Sequence, residues 1–333
     1  MAGVAVVGHL CVDLTPQLLG PPVVEPGVLA QLGPAVLGLG GVVANTGRTL
    51  AALGVPVVGW AAIGGDEFGR LTAGMLAGVR GFDFRPQVVD LASSYTIVVE
   101  PPGVDRTFWH HPGANAGLRL DRVDLDGIDL VHFGYPSLMP GVCADSGAAL
   151  GAFLATAAAG GIVTSLDLSW VDPLTPAGTV DWTGFLQRVL PSTDVVTPSW
   201  DDLASALHLG GSYTPERGRA LVEQLLGMGA GVVMLTAGPE GVLLGVADAD
   251  RLRRLTRYPL DVAAWAGARL AAPAAPLARV GTTTGAGDAA TAGLLAGLRE
   301  GRAPQDALDL ATRVAAGVIE QGGTGSFTGL RPA

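Results

Sequence analysis

Gly281-Thr282-Thr283-Thr284-Gly285-Ala286-Gly287-Asp288 leads straight into the small-residue run Ala289 to Leu298, which reads as a helix. Glycines at 285 and 287 allow a sharp turn and let backbone N–H groups approach a ligand closely. A helix that begins here points unpaired N–H groups and the positive end of its dipole outward, an arrangement that suits phosphate. Asp288 falls in the first helical turn. There the dipole stabilises a carboxylate, which can take a proton from a hydroxyl attacking that phosphate. The bland alternative is a tight strand-to-helix turn with no ligand. Either way the stretch is a junction of the kind an α/β chain uses, and the chemistry it suggests is phosphoryl transfer.

Strand-like runs and helical lengths alternate along the chain before it. Gly3 to Gly8 is a short apolar run suited to a buried strand, and Asp13 lies just past its end. Gly40-Gly41 opens a helix-like segment through Asn45, Leu50 and Leu53, closed by Gly54, after which Val55 to Ile63 returns to strand character. Tyr95 to Glu100, the turn Pro101-Pro102-Gly103 and Arg106 to His110 read as a hairpin standing off the main sheet. Leu130 to Phe133, Ile162 to Leu166, Val195-Val196 and Val232 to Thr236 are further strand-like runs separated by helical lengths. That spacing implies crossovers and a mostly parallel sheet. Pro16 to Gly38 departs from the pattern, and Arg251 to Ala278 reads as a solvent-exposed insertion.

Composition narrows the function. Of 333 residues 49% are hydrophobic and only 5% aromatic, so the core is built from Val, Leu and Ala, as in sheets covered by helices. A net charge of −10 argues against nucleic acid or an anionic membrane as partner and for a small molecule. All 20 basic residues are arginine, which removes a Walker A lysine, a Schiff-base lysine and a lysine of the protein-kinase type. Phosphate must be met by Arg, by backbone N–H groups or by a metal ion. Cys11 and Cys143 have no metal-like spacing and read as core residues of a cytoplasmic protein. The N-terminus reads as a strand, so no signal peptide is expected. Ser146 to Leu166 carries no charge for about a membrane-spanning length, but Gly160-Gly161 divides it into a helix and a strand.

Several short motifs, in order, resemble those of the ribokinase-like, or PfkB, carbohydrate kinases. They are Asp13, Gly40-Gly41 with Asn45, Ile63 to Gly69, Pro112-Gly113-Ala114-Asn115, Thr236 to Gly241 and the Thr-rich loop ending in Asp288. The resemblance implies an α/β fold, a mostly parallel central sheet flanked by helices, with a small β-sheet lid. Residues 1–13, 39–92 and 113–333 form the large domain on this reading, and 14–38 and 93–112 the lid. It also implies ATP and Mg²⁺ and phosphorylation of a hydroxymethyl group on a sugar or nucleoside. Asp288 is then the base and the N–H groups of Gly285, Ala286 and Gly287 the anion hole. Asp13, Gly40, Gly41, Asn45 and Asn115 bind substrate, while Thr236, Gly238, Gly241, Ser199 and Thr283 bind nucleotide.

Each assignment has a structural alternative: a solvated carboxylate for Asp13, a helix-start role for Asn45, turns for Asn115 and for Thr236 to Gly241. His110-His111 invites a metal reading, but neighbours on a strand face opposite ways, so both cannot bind one ion. His132 reads as packed or hydrogen-bonded, and Arg106 as solvated, with a substrate oxyanion as its alternative.

The chain also departs from the family pattern. Thr282 stands where the family has an Asp of a monovalent-cation site, which makes potassium activation doubtful. Ser199-Trp200-Asp201-Asp202 replaces Asn-x-x-Glu, leaving Asp202 to hold Mg²⁺ through water. Asp167 with Ser169 stands for an Asp-x-Asn pair. The expected activity is an ATP-dependent sugar kinase. A nucleoside kinase, with Phe108 and Trp109 as a base clamp, and a catalytically weak binding regulator are the alternatives. Exposed lid surface further suggests a homodimer. A dinucleotide-dependent dehydrogenase fits poorly, since Gly38 to Val43 lacks the final glycine of that fingerprint and its position after the first strand.

Overall fold

A computed structural model describes residues 3–101 and 106–330; Pro102 and Gly103 of the hairpin turn read above lie outside them. The strands in chain order are β1 Gly3–Gly8, β2 Cys11–Leu18, β3 Leu32–Gly40, β4 Val57–Gly64, β5 Phe82–Val89, β6 Tyr95–Val99 and β7 Thr107–His111, then β8 Ile128–Gly134, β9 Val163–Asp167, β10 Val195–Val196, β11 Val232–Thr236, β12 Val242–Val246 and β13 Arg269–Ala272. The α-helices are α1 Val42–Ala52, α2 Glu67–Ala77, α3 Pro140–Ala159, α4 Trp182–Val189, α5 Trp200–Ala206, α6 Pro215–Gly227, α7 Val262–Trp265, α8 Ala286–Arg299 and α9 Pro304–Gln321.

Nine strands make one sheet in the order β13-β12-β11-β10-β9-β8-β1-β4-β5. It is parallel from β5 to β11, and β12 and β13 are added antiparallel at one edge. Successive strand side chains point to opposite faces, so the central strand divides itself between two cores. Val4 and Val6 pack with Leu50 of α1 and Leu294 of α8, whereas Ala5 and Val7 pack with Leu150 of α3 and Phe185 of α4. Burial on both faces is why β1 is a continuous apolar run, while the polar residues of β8 and β9, such as His132 and Ser165, are buried and hydrogen-bond to each other. The mostly parallel α/β sheet expected from the sequence is therefore present, with helices on each side.

A second sheet of four strands has the order β3-β2-β6-β7. Asp13 lies inside β2, paired with Gly38 of β3, so this sheet takes up the chain at Cys11, earlier than the residue 14 boundary read from sequence. Only His9 and Leu10 separate β1 from β2.

Residues 251–278 are not a solvent-exposed insertion. Leu252, Leu255 and Trp265 are fully buried, and β13 forms an edge of the large sheet. The arginines are part of this packing: Arg251 and Arg254 pair with the buried Asp194 at 2.7 and 2.8 Å. Helix α3 is long and apolar enough to cross a membrane by length and composition. In the structure its helical geometry breaks at Ala144 to Gly147, and Leu150, Leu154 and Ala157 are buried in the second core.

Candidate active site

The parallel strands end along one edge of the large sheet, the edge where open α/β sheets place ligands. His9 follows β1, Tyr135 follows β8, Asp167 ends β9, Ser199 lies beyond β10, and Thr236 ends β11. Helix α8 starts with Gly285 in the left-handed region, φ 79°, a conformation that favours glycine. A Cβ there would also lie 2.8 Å from Thr324. A Cβ on Gly287, by contrast, would meet nothing within 4 Å, so its backbone is bare toward the site.

Asp288 in the first turn of α8 is buried and accepts three side-chain hydrogen bonds. Asn45 Nδ2 donates to Oδ2 at 3.0 Å, Tyr135 OH to the same oxygen at 2.6 Å, and Thr46 Oγ1 to Oδ1 at 3.0 Å. Burial raises its pKa above the ordinary carboxylate value, and the three donors pull it partly back. The result is a more basic carboxylate held in one orientation. Of the three N–H groups expected to form an anion hole, that of Ala286 is already engaged, donating to the Thr283 carbonyl at 3.2 Å. The N–H groups of Gly285 and Gly287 have no such backbone acceptor among the described residues.

On the small sheet, Asp13 is half-buried and burial raises its pKa. Gly40 lets the backbone run against it: a Cβ there would sit 2.3 Å from Asp13 Oδ2. Gly41 has φ 87° and lies against His9 in the same way. Asn45 holds Asp288 with its amide nitrogen and accepts from Thr324 Oγ1 at 2.8 Å, so it joins Asp288 to the chain that follows α9. Asn115 is turned away from the substrate role expected for it. Its carbonyl accepts from Leu10 N–H at 3.1 Å, and its amide donates to the carbonyls of Leu10 at 3.0 Å and Pro112 at 3.1 Å. With both donors used and the side chain buried, it pins the link between β1 and β2 instead.

Beside Asp288 stand two further carboxylates, Asp167 buried and Asp202 half-buried. Asp167 has its pKa pushed well up by burial and then by the charges of Asp288 and Asp202. Asp202 is pushed up to about 6, by burial and then by Asp201 and Asp288. Asp202 also forms a capping box at the start of α5. Its carboxylate accepts from Ser199 N–H at 2.9 Å, and Ser199 Oγ accepts from Asp202 N–H at 3.0 Å. Ser199 bridges to Thr236 across the strand ends, and with Gly238 both line a cleft of ≈ 520 Å³ that is walled by Trp170, Trp200 and Tyr213. Gly241, φ 92°, closes the β11–β12 turn, where a Cβ would strike the Ala272 carbonyl. Thr282 is engaged within its own loop, its hydroxyl donating to Thr284 Oγ1.

The small sheet reaches this edge at two points. Arg106 Nη1 donates to Thr283 Oγ1 at 2.5 Å, so this arginine meets the Thr-rich loop. His110 Nε2 lies 3.2 Å from His9 Nε2, and its Nδ1 is 3.0 Å from Thr96 Oγ1. Burial lowers both imidazole pKa values, that of His110 to about 4, so the rings are neutral. His111 is exposed on the opposite face, as the strand argument required. His132 is buried against the Ser165 hydroxyl, 2.8 Å from Nδ1.

Sequence reasoning did not pick out Tyr135, Thr46, Thr324 or His9 as site residues. For Tyr135 and His9 a signal existed: each directly follows the terminal glycine of a buried strand of the parallel sheet, where chemistry gathers.

A carboxylate at a glycine-capped helix start, on the carboxyl edge of a mostly parallel sheet partly covered by a four-stranded one, defines an α/β protein of the ribokinase-like fold. Solved structures of that fold match nearly the whole chain. A ribokinase of Arabidopsis thaliana, solved with ribose and ATP, is 19% identical, covers 98% of this chain and 95% of its own, and has a TM-score of 0.74. A putative ribokinase of Escherichia coli, solved with ATP and Mg²⁺, is 22% identical with TM-score 0.73, covering 98% and 96%. A nucleoside kinase of Burkholderia thailandensis, solved with inosine, is 17% identical with TM-score 0.69, covering 98% and 94%. Among curated proteins none matches the sequence. The pfkB family carbohydrate kinase model matches residues 1–329, and the chain belongs to that family.

Proposed function

We propose that the protein is an ATP-dependent kinase that phosphorylates a hydroxymethyl group of a sugar, with Asp288 as general base. The observation that carries this is the buried, three-times hydrogen-bonded Asp288 beside the bare Gly287 backbone at the start of α8. Asp13 accepts hydrogen bonds from the sugar, and Gly40 and Gly41 leave room for its ring. Asp288 takes the proton of the attacking hydroxyl as oxygen bonds to the γ-phosphorus of ATP and the bond to the ADP oxygen breaks. The N–H groups of Gly285 and Gly287 face the charge that develops on the transferred group. Arg106 and Thr283 stand over the same loop, and Thr236, Gly238 and Ser199 line the nucleotide side. The small sheet acts as a lid that excludes water.

The donor set fits Mg²⁺. Asp167, buried, and Asp202, half-buried, are carboxylates whose pKa values are raised by burial and by neighbouring negative charge, in a chain with no lysine to offset them. These two would hold the ion, Asp202 through water, and bound there it would neutralise charge on the phosphates. Thr282 offers only a hydroxyl engaged within its loop, so potassium is not required on this reading. Free, buried cysteines and the use of ATP suit a cytoplasmic enzyme. Leu32, Val36 and Leu37 of β3 and Trp109 of β7 are exposed, and a second copy of the chain covering this sheet would bury them; light scattering of the purified protein reads the dimer directly.

One observation favours a nucleoside as the acceptor. Phe108 shares the strand face of His110, is half-exposed, and lies 5.4 Å below the Arg106 guanidinium, which suits stacking on a base. ADP release measured over sugars and nucleosides separates the two. Asp288→Asn should lower turnover by about 10²–10⁴-fold with ligand binding retained; near-normal turnover refutes the base. Binding without turnover in the unaltered protein would mark a regulator instead.

A further inference from the structure

His9, Cys11 and His110 converge where the large sheet hands over to the small one, and their donor atoms lie within 4.8 Å of one another. We propose that they form a binding site for a borderline-soft divalent cation of the Zn²⁺ class, held by His9 Nε2, His110 Nε2 and Cys11 Sγ. The two imidazole nitrogens are 3.2 Å apart. Two nitrogens on one tetrahedral zinc ion stand about 3.3 Å apart, given Zn–N distances of about 2.0–2.1 Å.

The surroundings are those of a ligand set. His110 Nδ1 is occupied by Thr96 Oγ1 at 3.0 Å, the outer hydrogen bond that fixes a ligating ring with Nε2 inward. His9 Nδ1 is buried with no partner, so this ring is not held by a hydrogen-bond network of its own on that side. Cys11 donates its thiol hydrogen to Asp13 Oδ1 at 3.3 Å, a bond that the ion replaces as the thiol proton leaves to solvent. Two nitrogens and one sulfur select zinc or cobalt over Mg²⁺, so the site is chemically separate from the carboxylates that serve the phosphates. The fourth position is left to water or a substrate hydroxyl. An ion here ties the link after β1 to β7, fastening the small sheet over the cleft.

The test is titration of the full chain with Zn²⁺, and with Co²⁺ as a spectroscopic probe, in excess Mg²⁺. One ion should bind per chain, releasing about one proton as the thiol ionises, and the cobalt form should show a thiolate charge-transfer band. Cys11→Ser should abolish the band, and His110→Ala should weaken binding at least about tenfold. His111→Ala and Cys143→Ser should leave both readouts unchanged. No stoichiometric binding overturns the proposal. So does binding that survives both Cys11→Ser and His110→Ala, or that follows Cys143. If Cys11→Ser does not fold, His110→Ala, altered on a partly exposed strand, decides alone.

Discussion

Tyr135 donates its phenolic hydrogen to Oδ2 of Asp288 at 2.6 Å, the shortest of the three bonds that hold the base. Tyr135 itself has φ 66°, an uncommon conformation for a bulky residue that the turn after β8 imposes. The bond favours the ionised carboxylate and so lowers a pKa that burial raises. The base works in its ionised form, so activity falls as pH drops through that pKa. Tyr135→Phe removes a donor and raises the pKa of Asp288, moving the acid limb of log(kcat/KM) to higher pH by about one unit. An acid limb that stays in place or moves down would show that the phenol does not tune the base.

Gly40 is tested through the carboxylate it faces. A methyl group at this position would overlap Asp13, so Gly40→Ala should raise KM for the phosphoryl acceptor at least about tenfold, equivalent to about 1.4 kcal/mol. KM for ATP should be unchanged. A matching rise in both would indicate general disruption of the strand pair rather than loss of the acceptor's anchor.

Arg106 supplies a charge above the Thr-rich loop through its bond to Thr283. Arg106→Ala should lower kcat about 10- to 100-fold with little change in KM for the acceptor. Arg106→Lys should restore only part of it, because an ammonium lacks the guanidinium fork. A change confined to acceptor KM would place the arginine on the substrate instead.

Arg251 is a stability residue. It pairs with Asp194, which is almost fully buried, and donates to the carbonyls of Thr193 and Gly229. Arg251→Ala should cost about 2–3 kcal/mol, with Arg254 retaining part of the pairing. A urea unfolding midpoint reads this directly. A cost within about 0.5 kcal/mol, the range for exposed positions, would contradict the packing role of this segment.

Much of this architecture was legible in the chain because it is local. Parallel strands buried on both faces are rich in apolar, β-branched residues, and Val4 to Val7, Leu130 to Phe133 and Val232 to Leu235 were legible on that ground. The start of α8 was legible because glycine spacing and Asp288 fall within one turn. What stayed hidden depends on distant partners. Asn115 finds its acceptor at Leu10, 105 residues away, and Thr46 and Tyr135 reach Asp288 across 242 and 153 residues. Residues 251–278 looked like surface because their charges are conspicuous. The carboxylate that brings two of them inward, Asp194, sits in a different part of the sequence.

The His9-Leu10 link between β1 and β2 has one more implication. Asn115 clamps it from both sides at Leu10, so it is a stiff pivot and not a loose tether. Asp13 lies beyond that pivot, on the small sheet, while Asp288 lies on the other side of it. On the function proposed above, a swing of the small sheet would carry Asp13 away from Asp288. Opening the cleft and taking apart the acceptor site would then be one movement, and a phosphorylated product would lose its grip as the door moves.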